Sequence, residues 1–269
     1  MPLAICATPI GNLDDVTLRV LEELRAADLV LCEDTRRTRI LLDRHGVSAR
    51  MESYHRHNEA SRTAGVLERL GDAERVALVS DAGLPGVNDP GARLIAAAVA
   101  AGVEVTVLPG ASAVETALVA SGLAADRYQF VGYLPRRAGE LRALAEALTS
   151  WPAVVVAFES ARRLPVSLRA LADASPDRDA AVCRELTKRY EEIVRGPLEE
   201  LAARFVEPPR GEITLVLGPM EVSSGSASAD AAQAAVSELV GAGAPRRKAA
   251  EVVARLTGVP RNTLYRDSL

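Results

Sequence analysis

The chain has 269 residues, 48% of them apolar, and a formal charge of −4. No stretch of about 18 consecutive apolar residues occurs, which excludes a membrane-spanning helix, and the length suffices for two domains of a soluble globular protein. The mild acidity excludes a surface coated throughout with nucleic acid but leaves room for a local basic face.

Met1 runs into "PLAICATPIGN" with neither a positively charged flank nor a long apolar region, so no secretory signal is read and the cytoplasm is the expected compartment. Short Val/Leu/Ile/Ala runs then alternate with longer amphipathic stretches, the pattern of βα units. Strands are predicted over 3–7, 29–33, 76–80, 104–108, 129–132, 153–159, 180–185 and 213–217. Helices are predicted over 16–26, 36–45, 59–70, 91–101, 113–121, 139–149, 162–172 and 198–205. Asp14 and Asp15 are expected as cap and first-turn acid of the first helix, with Gly46 and Gly102 as C′ residues behind two others. Cys6, Cys32 and Cys183 lie far apart without CxxC spacing and read as buried thiols, not as a disulfide framework or a zinc site.

Near 124–127 the first series gives way to a second, which divides an α/β domain over 1–124 from another over 125–222. "EVSSGSASAD" has the composition of a flexible linker, placed at 223–229. The tail, 230–269, is helical and basic. From residue 240 on, Arg246, Arg247, Lys248, Arg255, Arg261 and Arg266 face only Glu251 and Asp267, a local balance of +4 that leaves −8 on the other 239 residues. "PRRKAAEVVARLTGVPRNTLYRDSL" outlines a helix-turn-helix hairpin, which serves either a nucleic acid or simply as a solvated helical pair.

Three strand exits are rich in Gly and Pro: "TPIGNL" (8–13), "VSDAGLPGVNDPG" (79–91) and "LPGAS" (108–112). In an open α/β sheet, ligands bind beyond the C-terminal strand ends, and such loops bring main chain close to them. No GxxxxGK[ST] and no GxGxxG spacing occurs, so a nucleotide phosphate site is unsupported. A ligand of little anionic charge, such as adenosylmethionine, fits carbonyl-rich loops better, although one Gly/Pro loop alone is also an ordinary turn.

These loops, together with "CEDTRRTR", "SYHRHNE", "FVGYLPRR", "CRELTKRYEEIVRG" and "RGEITLVLGP", resemble in order the motifs of the small-subunit ribosomal RNA methyltransferase I family, the ribosomal-RNA branch of the tetrapyrrole methylases. The resemblance runs from Leu3 to about Pro219, and the basic hairpin is similar to the tail of many members. It implies two α/β domains of the tetrapyrrole methylase type with S-adenosylmethionine in the cleft between them, and usually a homodimer. The implied reaction is methylation of the 2′-hydroxyl of a cytidine near the decoding centre of 16S ribosomal RNA, probed either as free RNA or within the small subunit. No metal is expected. Leu84, Asn88 and Ala111 stand where the family usually has Thr, Ser and Pro, which puts a hydroxyl contact from position 84 in doubt.

Carried onto matching positions, the resemblance assigns Thr8, Pro9, Ile10, Gly11, Asp81, Ala82, Gly83, Leu84, Ser112 and Ala113 to the cofactor, with Phe158, Glu159, Arg184 and Glu185 closing the cleft. A base or orienting group is sought among Glu185 and Lys188 of "RELTK", beside Arg184, and Glu33 or Asp34 of "CEDTRR". A carboxylate at a strand end beside arginines is equally a structural ion pair. Arg36, Arg37 and Arg39 read either as RNA phosphate contacts or as partners of Glu33 and Asp34, and Arg136, Arg137, Arg246, Arg247 and Lys248 as further RNA contacts. His55 and His57 lack a third ligand and suit a loop touching RNA or the partner domain. Scarce aromatics argue against a broad stacking platform but allow a single flipped nucleotide. The competing readings are a tetrapyrrole or diphthine-type methyltransferase, for which a basic hairpin has no use, and a non-catalytic RNA- or DNA-binding protein on the same fold.

Overall fold

The alternating pattern resolves, in a computed structural model, into two five-stranded sheets. The structure describes residues 2–123, 126–220, 226–257 and 259–266, the side chains of 226–229 excepted. Both sheets belong to one compact unit made of the described residues of 2–149 and 153–219, while 150–152 and the described residues from 220 on fall in a second unit.

The first sheet comprises β1 (Leu3–Cys6), β2 (Leu29–Cys32), β3 (Met51–Ser53), β4 (Val76–Val79) and β5 (Val105–Leu108), all parallel, in the order β3-β2-β4-β1-β5. β1, β2 and β4 are four-residue apolar runs buried throughout, because helices cover both faces. Strand alternation sends Ala4, Cys6, Val30, Cys32, Ala77 and Val79 to one face, against Val20, Leu21 and Leu24 of α1 (Leu18–Ala26) and Leu42 of α2 (Thr35–Arg44). Leu3, Ile5, Leu29, Leu31, Val76 and Leu78 take the other, against Val66 and Leu70 of α3 (Glu59–Gly71) and Leu94 and Ala98 of α4 (Ala92–Ala100). A fully buried side chain such as Leu24 or Leu94 contributes about 1.5–3 kcal/mol. The helices that follow the neighbouring strands β1 and β4 thus lie on opposite faces, which opens a crevice between the two exit loops.

The second sheet comprises β6 (Tyr128–Tyr133), β7 (Val154–Ser160), β8 (Asp179–Arg184), β9 (Glu192–Pro197) and β10 (Glu212–Leu217) in the order β6-β7-β10-β8-β9. β6 and β7 are parallel and the other pairs antiparallel. One face carries α6 (Ala138–Leu148), α7 (Leu164–Ala174) and α8 (Leu198–Arg204). The other, through Val154, Val156, Ala181, Cys183 and Val216, packs on Val114, Ala117 and Leu118 of α5 (Ala113–Ser121) and on Ile10.

All eight expected strands form, but β3 and β9 are additional. The acids 14 and 15 do not cap α1. Residues Leu13–Asp15 form a separate 3-10 turn capped by Asn12, and Thr17 caps α1 by accepting from the Val20 N–H at 3.2 Å. Gly46 and Gly102 do follow their helices in the left-handed region, at φ +61° and +72°. The three cysteines are buried and unpaired, and burial pushes the Cys6 thiol up to about 12.

In the second unit, α9 (Ser226–Gly241), α10 (Arg246–Thr257) and α11 (Arg261–Arg266) share a small core of Ala232, Val236, Ala249, Ala250, Val253 and Leu264. The expected linker needs correction: 223–225 lie outside the described residues, but 226–229 are already helical, because Ala-rich "SASADAAQAA" favours helix more than its serines oppose it. No described helix is long and apolar enough to cross a membrane.

Candidate active site

The exits of β1, β4 and β5 converge on the crevice. Thr8 and Gly83 exchange backbone hydrogen bonds of 2.8 and 3.0 Å, which stitches the first two loops together. Thr8 Oγ1 donates to Ser80 O at 3.0 Å, and Ser80 Oγ donates to Gly83 O at 3.1 Å. Gly83 sits at φ +77°, and a Cβ there would point into the space between Ala111 O, at 3.8 Å, and Ile10 Cγ2, at 3.9 Å. All three Gly/Pro loops therefore meet around one glycine. Pro9 and Ile10 are buried, and Ile10, Ala82, Ala111 and Ala113 pack on the cluster beneath α5. Leu84 packs instead with Leu78 and Leu94, so the residue that replaces a hydroxyl is drawn into an apolar cluster. Ser112 precedes α5, and its hydroxyl donates to Glu115, which also accepts from the Tyr128 hydroxyl at 2.6 Å.

Opposite this junction, Gly11 meets the loop that follows β8. A Cβ on Gly11 would lie 2.5 Å from Lys188 Cγ and 2.7 Å from Leu186 O, and the Asn12 N–H donates to Thr187 Oγ1 at 3.0 Å. Three parallel-sheet loops thus meet at Gly83, and one of them, through Gly11 and Asn12, also meets a loop of the mixed sheet, an arrangement specific enough to compare with known proteins.

The family described as Tetrapyrrole (Corrin/Porphyrin) Methylases matches residues 2–202. The chain belongs to the tetrapyrrole methylases. Within them it groups with proteins named ribosomal RNA small subunit methyltransferase I: that of Mesorhizobium japonicum is 45% identical over 99% of this chain and 91% of its own length. That of Micromonospora olivasterospora is 45% identical over 98% and 85%. Among solved structures, a diphthine synthase superposes with TM-score 0.62 at 18% identity, covering 81% of this chain and 90% of its own. A uroporphyrin-III C-methyltransferase from Thermus thermophilus, complexed with S-adenosylhomocysteine, gives 0.57 at 19%, covering 81% and 97%. The last two likenesses establish the fold alone.

In this tetrapyrrole methylase the two residues expected to close the cleft from β7 part company. Phe158 lies on the face toward α5, in edge contact with Phe130 at 4.9 Å and Tyr133 at 5.5 Å. Glu159 points the other way, as strand alternation requires. It is buried, accepts from the Ser160 N–H at 2.6 Å and from the Ser167 hydroxyl, and pairs with Arg163 at 3.2 Å. Its side chain holds β7 to α7 and does not reach the crevice.

Glu185 and Lys188 come together and Arg184 does not join them. Glu185 Oε1 accepts from Lys188 Nζ at 2.9 Å and from the Glu212 N–H at 2.9 Å, while Lys188 Nζ also donates to Glu212 Oε2 at 2.7 Å. Burial raises the Glu185 carboxyl, but the Lys188 hydrogen bond, the Glu212 N–H and the charges of Lys188 and Arg184 outweigh it and hold the group below its ordinary value. Burial likewise opposes the Lys188 charge, and its two carboxylate partners overcome it. Glu185 (φ +52°) and Thr187 (φ +65°) are both left-handed without being glycine, so this loop stores backbone strain. Arg184 pairs instead with its cross-strand partner Glu192 at 3.0 Å and donates to Arg210 O at 3.2 Å.

The basic patch on α2 is tied to the neighbouring acids. Asp34 caps α2 and takes Arg36 at 2.8 Å, and the Arg36 hydrogen bonds hold its carboxyl down at about 2. Arg37 reaches Asp81 at 3.5 Å, and Asp81 also accepts the Asp34 N–H at 3.0 Å. Arg39 and Arg136 are exposed, while Arg137 pairs with Glu140 at 3.0 Å. In the tail, Lys248 pairs with Glu251 at 3.2 Å, and Arg246 and Arg247 stand at the start of α10.

Sequence reasoning missed Asp89. Burial, then the Glu33 charge, pushes its carboxyl up to about 6, and Glu33 and Asp81 are raised as well, chiefly by burial. Arg56 opposes the rise at Asp89 and donates to Asn88 O, and His55 adds a smaller opposing charge at Glu33. The segment "NDPG" showed only turn residues. Nothing in it announced that Asn88 would take φ +62° and set the next carboxyl among other acids.

Proposed function

We propose that this methyltransferase uses S-adenosylmethionine to methylate the 2′-hydroxyl of a cytidine in the decoding region of 16S ribosomal RNA. The observation that carries the reading is the three-loop junction at Gly83, facing the Gly11 and Lys188 wall, in a chain that groups with rRNA small subunit methyltransferases. The junction fits the cofactor: the Gly83 position leaves a Cβ-sized space between main-chain groups, and the loops offer carbonyl oxygens to a sulfonium and an ammonium. They contain no Lys or Arg to favour a phosphate. Bound there, the cofactor would supply an electrophilic methyl group.

The chain's own part is alignment. Thr8, Pro9, Ile10, Gly11, Asp81, Ala82, Gly83, Leu84, Ser112, Ala113 and Phe158 form the proposed cofactor wall, mostly through main chain, and the Glu159 side chain supports it from behind. Holding donor and hydroxyl in line removes much of the barrier. Lys188, kept charged by Glu185 and Glu212, attracts the RNA backbone; Glu185, kept ionised by Lys188, orients the hydroxyl and is the proposed acceptor of its proton. Arg36, Arg37, Arg136, Arg137, Arg246, Arg247 and Lys248 are the proposed phosphate contacts. We also assign residues 1–124 and 125–222 to the two domains, with a homodimer in the cytoplasm as the acting form.

The test is transfer of a labelled methyl group to small ribosomal subunits lacking the modification, with naked 16S rRNA and uroporphyrinogen as parallel acceptors. Label on one ribose of a cytidine in the subunit is expected. Label on the porphyrinoid, or on none of the three despite cofactor binding, would refute the rRNA assignment.

A further inference from the structure

Tyr133 is a large ring left 62% exposed at the end of β6, and its placement depends on a local irregularity. Phe130 and Tyr133 both touch Phe158, at 4.9 and 5.5 Å between ring centroids. In a regular strand, residues an odd number apart point to opposite faces. The register between β6 and β7 shifts between Phe130 and Tyr133, and this extra residue is what returns Tyr133 to the face of Phe130.

The residue that absorbs the shift is Gly132, at φ +71°. A Cβ there would come within 3.2 Å of Asn88 Oδ1, itself on a left-handed residue of the loop after β4. The strand end is thereby fixed against the loop that builds the Gly83 junction. Phe158, the middle ring, packs on the cluster containing Ile10, Ala82, Ala111 and Ala113. A continuous apolar path therefore leads from the cofactor loops through Phe158 to one exposed aromatic ring. Partial burial, and after it the charges of Glu212 and Asp89, raise the phenol above its ordinary value, so the hydroxyl stays protonated.

We infer that Tyr133 is the stacking platform for the base of the nucleotide being methylated, held at the crevice by Phe158 and by the Gly132 irregularity. The inference rests on the RNA reading of the site. One ring suffices for one unstacked base, which suits a chain with only nine Phe, Trp and Tyr residues. Stacking needs the ring and not the hydroxyl.

The experiment is single-turnover methyl transfer to subsaturating small subunits lacking the modification, with cofactor affinity measured by calorimetry. Tyr133→Ala is expected to lower the transfer rate about tenfold or more, while Tyr133→Phe and Tyr133→Trp stay within about threefold of the unsubstituted protein. Cofactor affinity should be unchanged in all three. Transfer by Tyr133→Ala within about twofold of normal would overturn the inference, as would a Tyr133→Phe defect equal to that of Tyr133→Ala. Absence of transfer by the unsubstituted protein would instead remove the RNA reading, and this inference with it.

Discussion

Gly11 and Lys188 approach so closely that a single methyl group on the glycine would overlap the lysine side chain, 2.5 Å from its Cγ. The lysine stem could swing aside, but Leu186 O, at 2.7 Å from the same position, is backbone of a strained loop and cannot. Gly11→Ala is therefore expected to destabilise the protein by about 1–3 kcal/mol and to push the 185–188 loop away from the first sheet. Denaturant unfolding together with cofactor calorimetry checks this; unchanged stability would mean that the loops part freely.

The Glu185–Lys188–Glu212 group predicts a pH dependence with two limbs. Glu185 has its folded pKa below the unfolded one, so its contribution is present above the unfolded carboxylate range and is lost as pH falls through the folded value. Lys188 has its folded pKa raised, so its contribution is complete below the unfolded value and is lost as pH rises through the folded one. Glu185→Gln should cost about 1–2 kcal/mol at neutral pH and little in strong acid. Thermal unfolding across pH measures both limbs, and an equal loss at all pH values would contradict the assignment to charge.

Asp89 works in the opposite sense. Its folded pKa, about 6, lies above the ordinary 3.8, so the native state holds the extra proton between those values and stability declines as pH rises from about 4 to about 6. Asp89→Asn keeps the shape without the charge. It should flatten that decline and raise stability above pH 6 by roughly 1–3 kcal/mol. Parallel urea melts of both proteins at pH 4 and pH 7.5 decide the matter.

Glu159 separates a structural role from a binding one. Glu159→Ala would leave the Arg163 charge and the Ser167 hydroxyl without their shared acceptor and should cost about 3–5 kcal/mol. Glu159→Gln, which retains the shape, should cost less. Both should bind S-adenosylmethionine as the unsubstituted protein does, and a tenfold loss of affinity in folded Glu159→Gln would return the side chain to the crevice.

What the sequence made legible was whatever local pattern decides. Buried apolar runs such as Leu29–Cys32 marked the strands, and Gly/Pro exits marked the crevice loops. β3 escaped because "MES" is three half-buried residues without a continuous apolar run. β9 escaped because Glu192, Arg195, Gly196 and Pro197 look like loop residues, although at a sheet edge they are tolerated. The orientation of Glu159 was in principle readable, since Val155, Ala157 and Glu159 share one parity and Val154, Val156 and Phe158 the other. Pairings such as Gly11 with Lys188, or Tyr133 with Phe158, depend on segments far apart in the chain and had no local signature.

The cluster that joins α5 to the second sheet bears on how the crevice is entered. Val114, Ala117 and Leu118 from one side and Val154, Val156, Ala181, Cys183 and Val216 from the other are all nearly inaccessible, so they behave as one seam. Prising the sheets apart would wet that seam at about 25 cal/mol for every Å² uncovered. Ligand traffic is thus assigned to the loops at the rim. A crosslink anchoring α5 to β8 should therefore leave turnover intact, because it spans a seam that is already closed.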